Sequence, residues 1–293
     1  MRLFIILLFI IFSFGGIRAQ NSPDYSQTDK RMSLISLTTA KTVDEIASYI
    51  KINFKTDEEK TRAVYYWLSQ NIAYDAENAN VVDFYESEQQ VIDEVLKNHK
   101  GVCLHYAMLF SWICNRAGVE SIVVAGFTRQ NEKVDVLPHA WNAALVNSKW
   151  ELFDPTWGSG YIQNQKFIKR LSNVFFNVKA EEFIKSHNPF DPIWQLQNYP
   201  ITNLEFIQGK TSINQKKSFI NFNDSIATFR KLSNSEQLIA TNRRMKSNGL
   251  ENSILQKRYS DVVNQIGRNR KSDMTEIYNK AILKYNDGVN DLN

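Results

Sequence analysis

The sequence predicts an α+β fold: a cysteine-bearing helix packed on an antiparallel sheet, followed by a helical C-terminal appendage. Three observations predict it. From Cys103, apolar residues recur at helical spacing with almost no charge (Leu104, Ala107, Met108, Phe110, Trp112, Cys114), the pattern of a helix buried in the middle of a domain. Directly after it come three strand-like runs, 121–128, 140–146 and 149–153, the last two separated by the turn residues Asn147-Ser148. Beyond about Gly209 the texture changes to Asn, Lys, Ser and Gln, with Met274, Ile277, Tyr278, Ala281, Ile282 and Tyr285 again at helical spacing. Helices first, then an antiparallel hairpin, is the order of an α+β domain.

The elements follow in order. Asn21 to Asp29 is polar and reads as a flexible mature N-terminus. Thr42 to Phe54 carries Val43, Ile46, Ala47 and Ile50 on one helical face. Asp57 to Ile72 reads as a clearer helix, with Thr56 or Asp57 as its cap and Glu58-Glu59 favouring its first turn. Trp67 and Tyr74 are expected in the core. The acidic stretch Asp75 to Glu88 matches no cation-binding loop spacing and reads as solvated surface. Ser87 to Lys97 is a short helix, and Lys100-Gly101-Val102 breaks it. Gly118 is suited to end the cysteine helix, and 130–138 reads as a polar connection between strands. Phe175-Phe176 and Phe183-Ile184 suggest a short strand and helix near the sheet. Pro189, Pro192 and Pro200 mark a rigid irregular stretch, and Leu204 to Ile207 reads as one more strand. Helices are expected from about Asp224 to Asn286, broken at Asn248-Gly249 and near Gly267.

Residues 1–19 stand apart. Arg2 precedes an apolar run from Leu3 to Phe14, followed by Gly15, Gly16 and Ala19, the signature of a secretory signal peptide cleaved after Ala19. The run is shorter than the ~20 residues that span a bilayer as a helix. No cysteine follows it, which argues against a lipid anchor, and no later stretch is apolar enough to cross a membrane. The expected organisation is a leader (1–19), an α+β domain (20–208) and a basic, mainly helical C-terminal region (209–293), in an exported protein of the periplasm or exterior. Residues 20–210 hold 19 Lys/Arg against 23 Asp/Glu, a net of −4. Residues 211–293 hold 14 against 8, a net of +6, so the basic excess lies in the tail, where it would form a solvated face or meet an acidic envelope partner. No nucleic-acid partner is expected. The two cysteines, Cys103 and Cys114, lie ~16 Å apart if both sit on one helix, too far for a disulfide. Free thiols in an oxidising compartment suggest that at least one has a chemical task.

Cys103 is the candidate. It opens a helix, where the backbone favours a thiolate. A neighbour two residues along, His105, points about 200° away. His99 precedes the turn without an orienting group, and His187 lies among prolines and aromatics, where a structural or exposed role is expected. His139 enters a strand, and Asp154 ends the partner strand of the same hairpin, so antiparallel pairing brings the two together. The expected site is therefore Cys103 as nucleophile, His139 as base and Asp154 as orienter. No CxxC or HxxxH spacing is present, so no metal site is expected, and no cofactor.

The blocks Gly101-Val102-Cys103-Leu104-His105-Tyr106-Ala107, His139-Ala140-Trp141-Asn142 and Asp154-Pro155-Thr156-Trp157-Gly158 resemble the transglutaminase-like superfamily, and most nearly its branch similar to kyphoscoliosis peptidase. Tyr66-Trp67-Leu68 and Asn71-Ile72-Ala73-Tyr74-Asp75 resemble that family's entry helix, and the likeness covers roughly Asp57 to Trp194. The resemblance implies a papain-like core with a Cys-His-Asp triad at Cys103, His139 and Asp154. It implies a cysteine protease or transglutaminase-like acyl transferase acting on protein or peptide amides through a thioester, with hydrolysis preferred to cross-linking. The alternative is a non-catalytic transglutaminase-like scaffold of the cell envelope. The glutamine found six residues before the cysteine in papain is Lys97 here, so oxyanion donors are expected elsewhere, including the Cys103 backbone N–H.

Overall fold

The computed structural model describes residues 23–36, 38, 40–78 and 87–290. The leader and residues 79–86, the larger part of the acidic stretch, lie outside the described residues. Three helices lead: α1 (Ser26–Met32), α2 (Val43–Asn53) and α3 (Asp57–Asn71). Thr42 with Glu45 and Thr56 with Glu59 close reciprocal capping boxes that satisfy the first-turn donors of α2 and α3. α1 replaces the flexible N-terminus expected there. It is held because Asp29 makes a two-pronged pair with Arg62, which is only 1% exposed, and because Met32 is buried.

β1 (Ala73–Tyr74), α4 (Glu88–Asn98) and β2 (Lys100–Gly101) lead to α5 (Cys103–Arg116). α5 is the central helix: Tyr106, Ala107, Leu109, Phe110, Ile113 and Cys114 have no solvent exposure, and it packs against α2, α3 and the sheet. The sheet comprises β3 (Ser121–Gln130), β4 (Lys133–Val146), β5 (Lys149–Phe153) and a short edge strand, β8 (His187–Pro189), in the order β5-β4-β3-β8, all antiparallel. Asn147 and Ser148 both have positive φ, the geometry that matches strand twist in a two-residue hairpin. The expected polar connection at 130–138 is instead paired strand. Asn131 and Glu132 form a second positive-φ turn, and β4 continues from Lys133 through the site.

Between β5 and β8 lie α6 (Pro155–Ser159), the hairpin β6 (Gly160–Gln163) with β7 (Lys166–Lys169), a 3-10 turn at Asn173–Phe175, and α7 (Ala180–Phe183). A second 3-10 turn at Pro192–Gln195 precedes α8 (Asn203–Ile207), α9 (Phe222–Phe229), α10 (Asn234–Asn248) and α11 (Ser253–Asn290). The segment expected as a strand at 204–207 is α8, because Thr202 and Glu205 form a capping box that starts a helix. The break at Asn248-Gly249 is present, whereas α11 runs through Gly267 unbroken. The last helices share a core with the sheet: Met245, Leu255 and Val262 cluster with Phe127, Phe190 and Phe206. Arg244 clamps Asp191 with two 2.7 Å bonds, and Thr241 adds a third.

Candidate active site

The site is assembled where α5, β4 and α6 begin or end. Gly101 lets the chain turn into α5 at close range, since a Cβ there would lie 2.8 Å from Cβ of His105. His105 caps the helix: its Nδ1 accepts the Val102 N–H at 3.2 Å. It is occupied in starting the helix that presents Cys103. Cys103 is half-buried and carries a free thiol, and Cys114 is free and buried, its thiol pushed up by desolvation. His99 ends α4 in the left-handed conformation.

The Cys103 thiol is a neighbour of the His139 ring and helps to favour its charged form. His139 Nε2 is 2.8 Å from Asp154 Oδ2, which leaves Nδ1 as the nitrogen free to serve the sulfur. Cys103, His139 and Asp154 thus lie together in one place. Asp154 is fully buried and caps α6: Oδ1 accepts the backbone N–H groups of Thr156 (2.8 Å) and Trp157 (3.1 Å). Burial opposes ionisation of this carboxyl, but His139 and His187 outweigh it and hold it well below the ordinary range. Burial likewise opposes charge on His139, yet the Asp154 carboxylate holds its imidazolium well above the ordinary range, at about 10.

Asn142, three residues after His139, is buried and ties β4 to α5. Its Nδ2 donates to the Ala107 carbonyl and Ser111 Oγ, both at 2.9 Å. Helix and strand, and with them the thiol and the imidazole, are locked in register by that amide.

Two residues belong to the site that sequence reasoning left out of it. Tyr74 packs against the core as a part-buried ring, and with His139 it also lines a cleft of about 810 Å³, walled by Trp157, Phe167, Phe175 and Arg170. Its hydroxyl has no hydrogen-bond partner among the described residues, and burial, with Cys103 and Asp154 nearby, pushes its pKa up to about 12, so it stays a donor. Its signal was the pairing of Tyr74 with Gly101, two residues before the cysteine, which propensity does not reveal. His187 is neither exposed nor remote: it is buried on β8 with Nε2 3.1 Å from Asp154 Oδ2. His139, Asp154 and His187 are the group among the described residues with metal-ligand spacing, but each facing atom already has a hydrogen-bond partner within the group.

The transglutaminase-like superfamily core matches residues 44–155, the stretch that runs from α2 to the carboxylate on which His139 leans. That stretch is a transglutaminase-like domain. The chain is 30% identical over 211 residues to human kyphoscoliosis peptidase, covering 68% of this chain and 31% of that protein. It is 25% identical over 207 residues to the Caenorhabditis elegans Lim and transglutaminase domain protein ltd-1, covering 62% and 28%. The chain therefore spans about a third of the length of the curated relatives it matches. Among solved structures, a TGase superposes with a TM-score of 0.32 at 18% identity, over 55% of this chain and 38% of its own. In the transglutaminase-like domain described here, the helix bearing the cysteine and the antiparallel sheet bearing the histidine form one α+β core, and no described helix is long and apolar enough to cross a membrane.

Proposed function

We propose that this chain is an exported cysteine enzyme that cleaves amide bonds of proteins or peptides through a thioester. The observation that carries the proposal is His139, poised between the Cys103 thiol and the buried Asp154 carboxylate. Cys103 Sγ attacks the amide carbonyl while its proton resides on His139 Nδ1. The carbonyl oxygen becomes an oxyanion, met by the backbone N–H at the start of α5 and by the Tyr74 hydroxyl. The C–N bond breaks as His139 gives the proton to the leaving amine. Water, deprotonated by His139, then releases the acid and returns the thiol. Asp154 accepts the Nε2–H throughout and keeps the tautomer correct.

Hydrolysis is preferred to cross-linking because the first of the relatives reported above is named a peptidase. Export is proposed from the leader-like residues 1–19. The enzyme is tested by treating the full chain with p-nitrophenyl acetate and locating the acyl group by peptide mass spectrometry. A hydrolysable acyl group on Cys103, lost in Cys103→Ala with folding intact, supports the reading. Unacylated Cys103 under reducing conditions sinks it. Export is tested separately, by N-terminal sequencing of the protein from its native cell: a chain that still begins at Met1 refutes cleavage.

A further inference from the structure

Asp154 carries two imidazoles on one oxygen, and a triad needs only one. Oδ1 is occupied by the amides of Thr156 and Trp157; Oδ2 meets His139 Nε2 at 2.8 Å and His187 Nε2 at 3.1 Å. We propose that His187 is a positioning residue that stays neutral, donates its Nε2–H to Asp154, and thereby sets how strongly that carboxylate holds the proton of His139. This rests on the catalytic reading of Cys103, His139 and Asp154 given above.

Three features make the second histidine a permanent donor. The first is its tautomer. Nε2 faces the Asp154 carboxylate, which can only accept, so the ring proton belongs on Nε2, and Nδ1, 2.7 Å from Ser186 Oγ, is left to accept the serine hydroxyl. The second is its enclosure. The ring stacks on Phe183 at 4.1 Å between centroids, meets Trp157 at 4.5 Å and Trp141 at 5.2 Å, and is only 1% exposed. Desolvation there disfavours the charged form. The third is its backbone. β8 pairs with β3 at Thr128↔His187 and Gly126↔Pro189, and the absent side chain of Gly126 allows the approach: a Cβ there would lie 2.3 Å from the Asn188 carbonyl oxygen.

The charged and titratable groups that face His187 are Asp154, His139 and, further along β4, Asp135. His139 faces Cys103 on its other side. An oxygen that accepts two N–H groups shares its charge between them. The His187 bond therefore moderates the pull of Asp154 on the His139 imidazolium. A moderated pull matters because His139 must give its proton to the leaving amine, and a histidine held too far above the working pH gives it reluctantly. The four donors also leave the carboxylate no freedom to rotate away from His139.

The test is a titration of the full chain labelled with ring-¹⁵N histidine, which has four histidines to assign. In the wild type, His187 is expected to remain neutral with its proton on Nε2 while the pH is varied across neutrality. In His187→Leu, His139 is expected to lose its proton about one pH unit higher than in the wild type, the scale of one buried hydrogen bond. His187→Gln, which restores an N–H donor, is expected to return that titration toward the wild-type value. The rate of acylation by a peptide p-nitroanilide, whose leaving amine must take the proton from His139, should fall about tenfold or more in His187→Leu and partly recover in His187→Gln. A His187 that titrates like a solvated imidazole, or that carries its proton on Nδ1, overturns the proposal from the wild type alone, even if the leucine variant does not fold. An unchanged His139 titration in a folded His187→Leu overturns it as well, by reducing His187 to packing. Because the titration needs no substrate, a shift of His139 without any Cys103 acylation would refute the enzyme and leave the positioning role standing.

Discussion

Asp154→Asn is the substitution in which stability and chemistry are most tightly coupled. The amide oxygen can still accept the Thr156 and Trp157 N–H groups that Oδ1 accepts now. The amide nitrogen must then take the place of Oδ2, where it faces His139 Nε2 at 2.8 Å and His187 Nε2 at 3.1 Å. Two N–H groups would meet a third donor in a site with no solvent exposure. Each buried donor left unmatched costs about 1–3 kcal/mol, so the variant should lose roughly 3–5 kcal/mol of stability. That is a large part of the ~5–15 kcal/mol of an ordinary domain. His139 can escape only by moving its proton to Nδ1, the nitrogen that serves Cys103, which removes the base. Cys103 acylation should fall by ~10³-fold or more. Urea unfolding and the acylation rate, measured on the same preparation, check both. The pH dependence has a definite sign. Asp154 is held below its ordinary value of 3.8 in the fold, so its contribution is full above that pH and is lost as the pH falls through the lower folded value. The asparagine variant should lack that acid-side loss. A folded Asp154→Asn with acylation within tenfold of wild type would refute the hydrogen-bond reasoning.

Tyr74→Phe removes only the hydroxyl and should slow acylation by ~10²-fold, while alkylation of Cys103 by iodoacetamide, which forms no oxyanion, keeps its rate; an equal drop in both would contradict the assigned role. Gly126→Ala must push β8 from β3, because its Cβ would meet backbone at Asn188 and the Trp141 ring at 2.3 Å, and should cost about 1–3 kcal/mol in urea unfolding while loosening His187 from Asp154. The two site histidines should tilt the pH–stability curve in opposite directions. His139, raised from 6.5 to about 10, contributes stability fully below pH 6.5 and loses it as the pH rises through about 10. His187, lowered from 6.5 by burial, costs stability below that pH, where the unfolded chain takes up a proton that the fold refuses; in His187→Gln the fall on the acid side of pH 6.5 should flatten.

The residues that sequence reading placed correctly in space are those whose neighbours in the chain reveal their surroundings. Cys103 opens a helix that is apolar on nearly every face, and His139 and Asp154 flank a hairpin whose turn lies midway between them. Both patterns are local, so strand pairing and helix burial were enough to bring the three residues together. His187 had no such signal. Its strand is His-Asn-Pro, three residues of low strand propensity, and it exists because Gly126 lets β8 approach and the rings of Phe183, Trp141 and Trp157 enclose it. The cleft-lining side of Tyr74 was hidden for a related reason: Phe167, which stands 6.4 Å from its ring and helps to make the cleft, arrives on a hairpin nearly a hundred residues later. In the β3–β4 hairpin, charges at Glu132, Lys133 and Asp135 masked paired strand, because a hairpin tip has little to bury. α8 was legible after all, in the Thr202–Glu205 capping box, which a search for β-branched and apolar runs passes over.

The central claim is that Cys103, through His139, accepts an acyl group. Its most direct measurement is the peptide mass map of the full chain quenched during reaction with p-nitrophenyl acetate. The account predicts one acyl group per chain, on the peptide containing Cys103, absent in Cys103→Ala and sharply reduced in His139→Ala and Asp154→Asn. An acyl group distributed among lysines, or a Cys103 signal indifferent to the loss of His139, would contradict it.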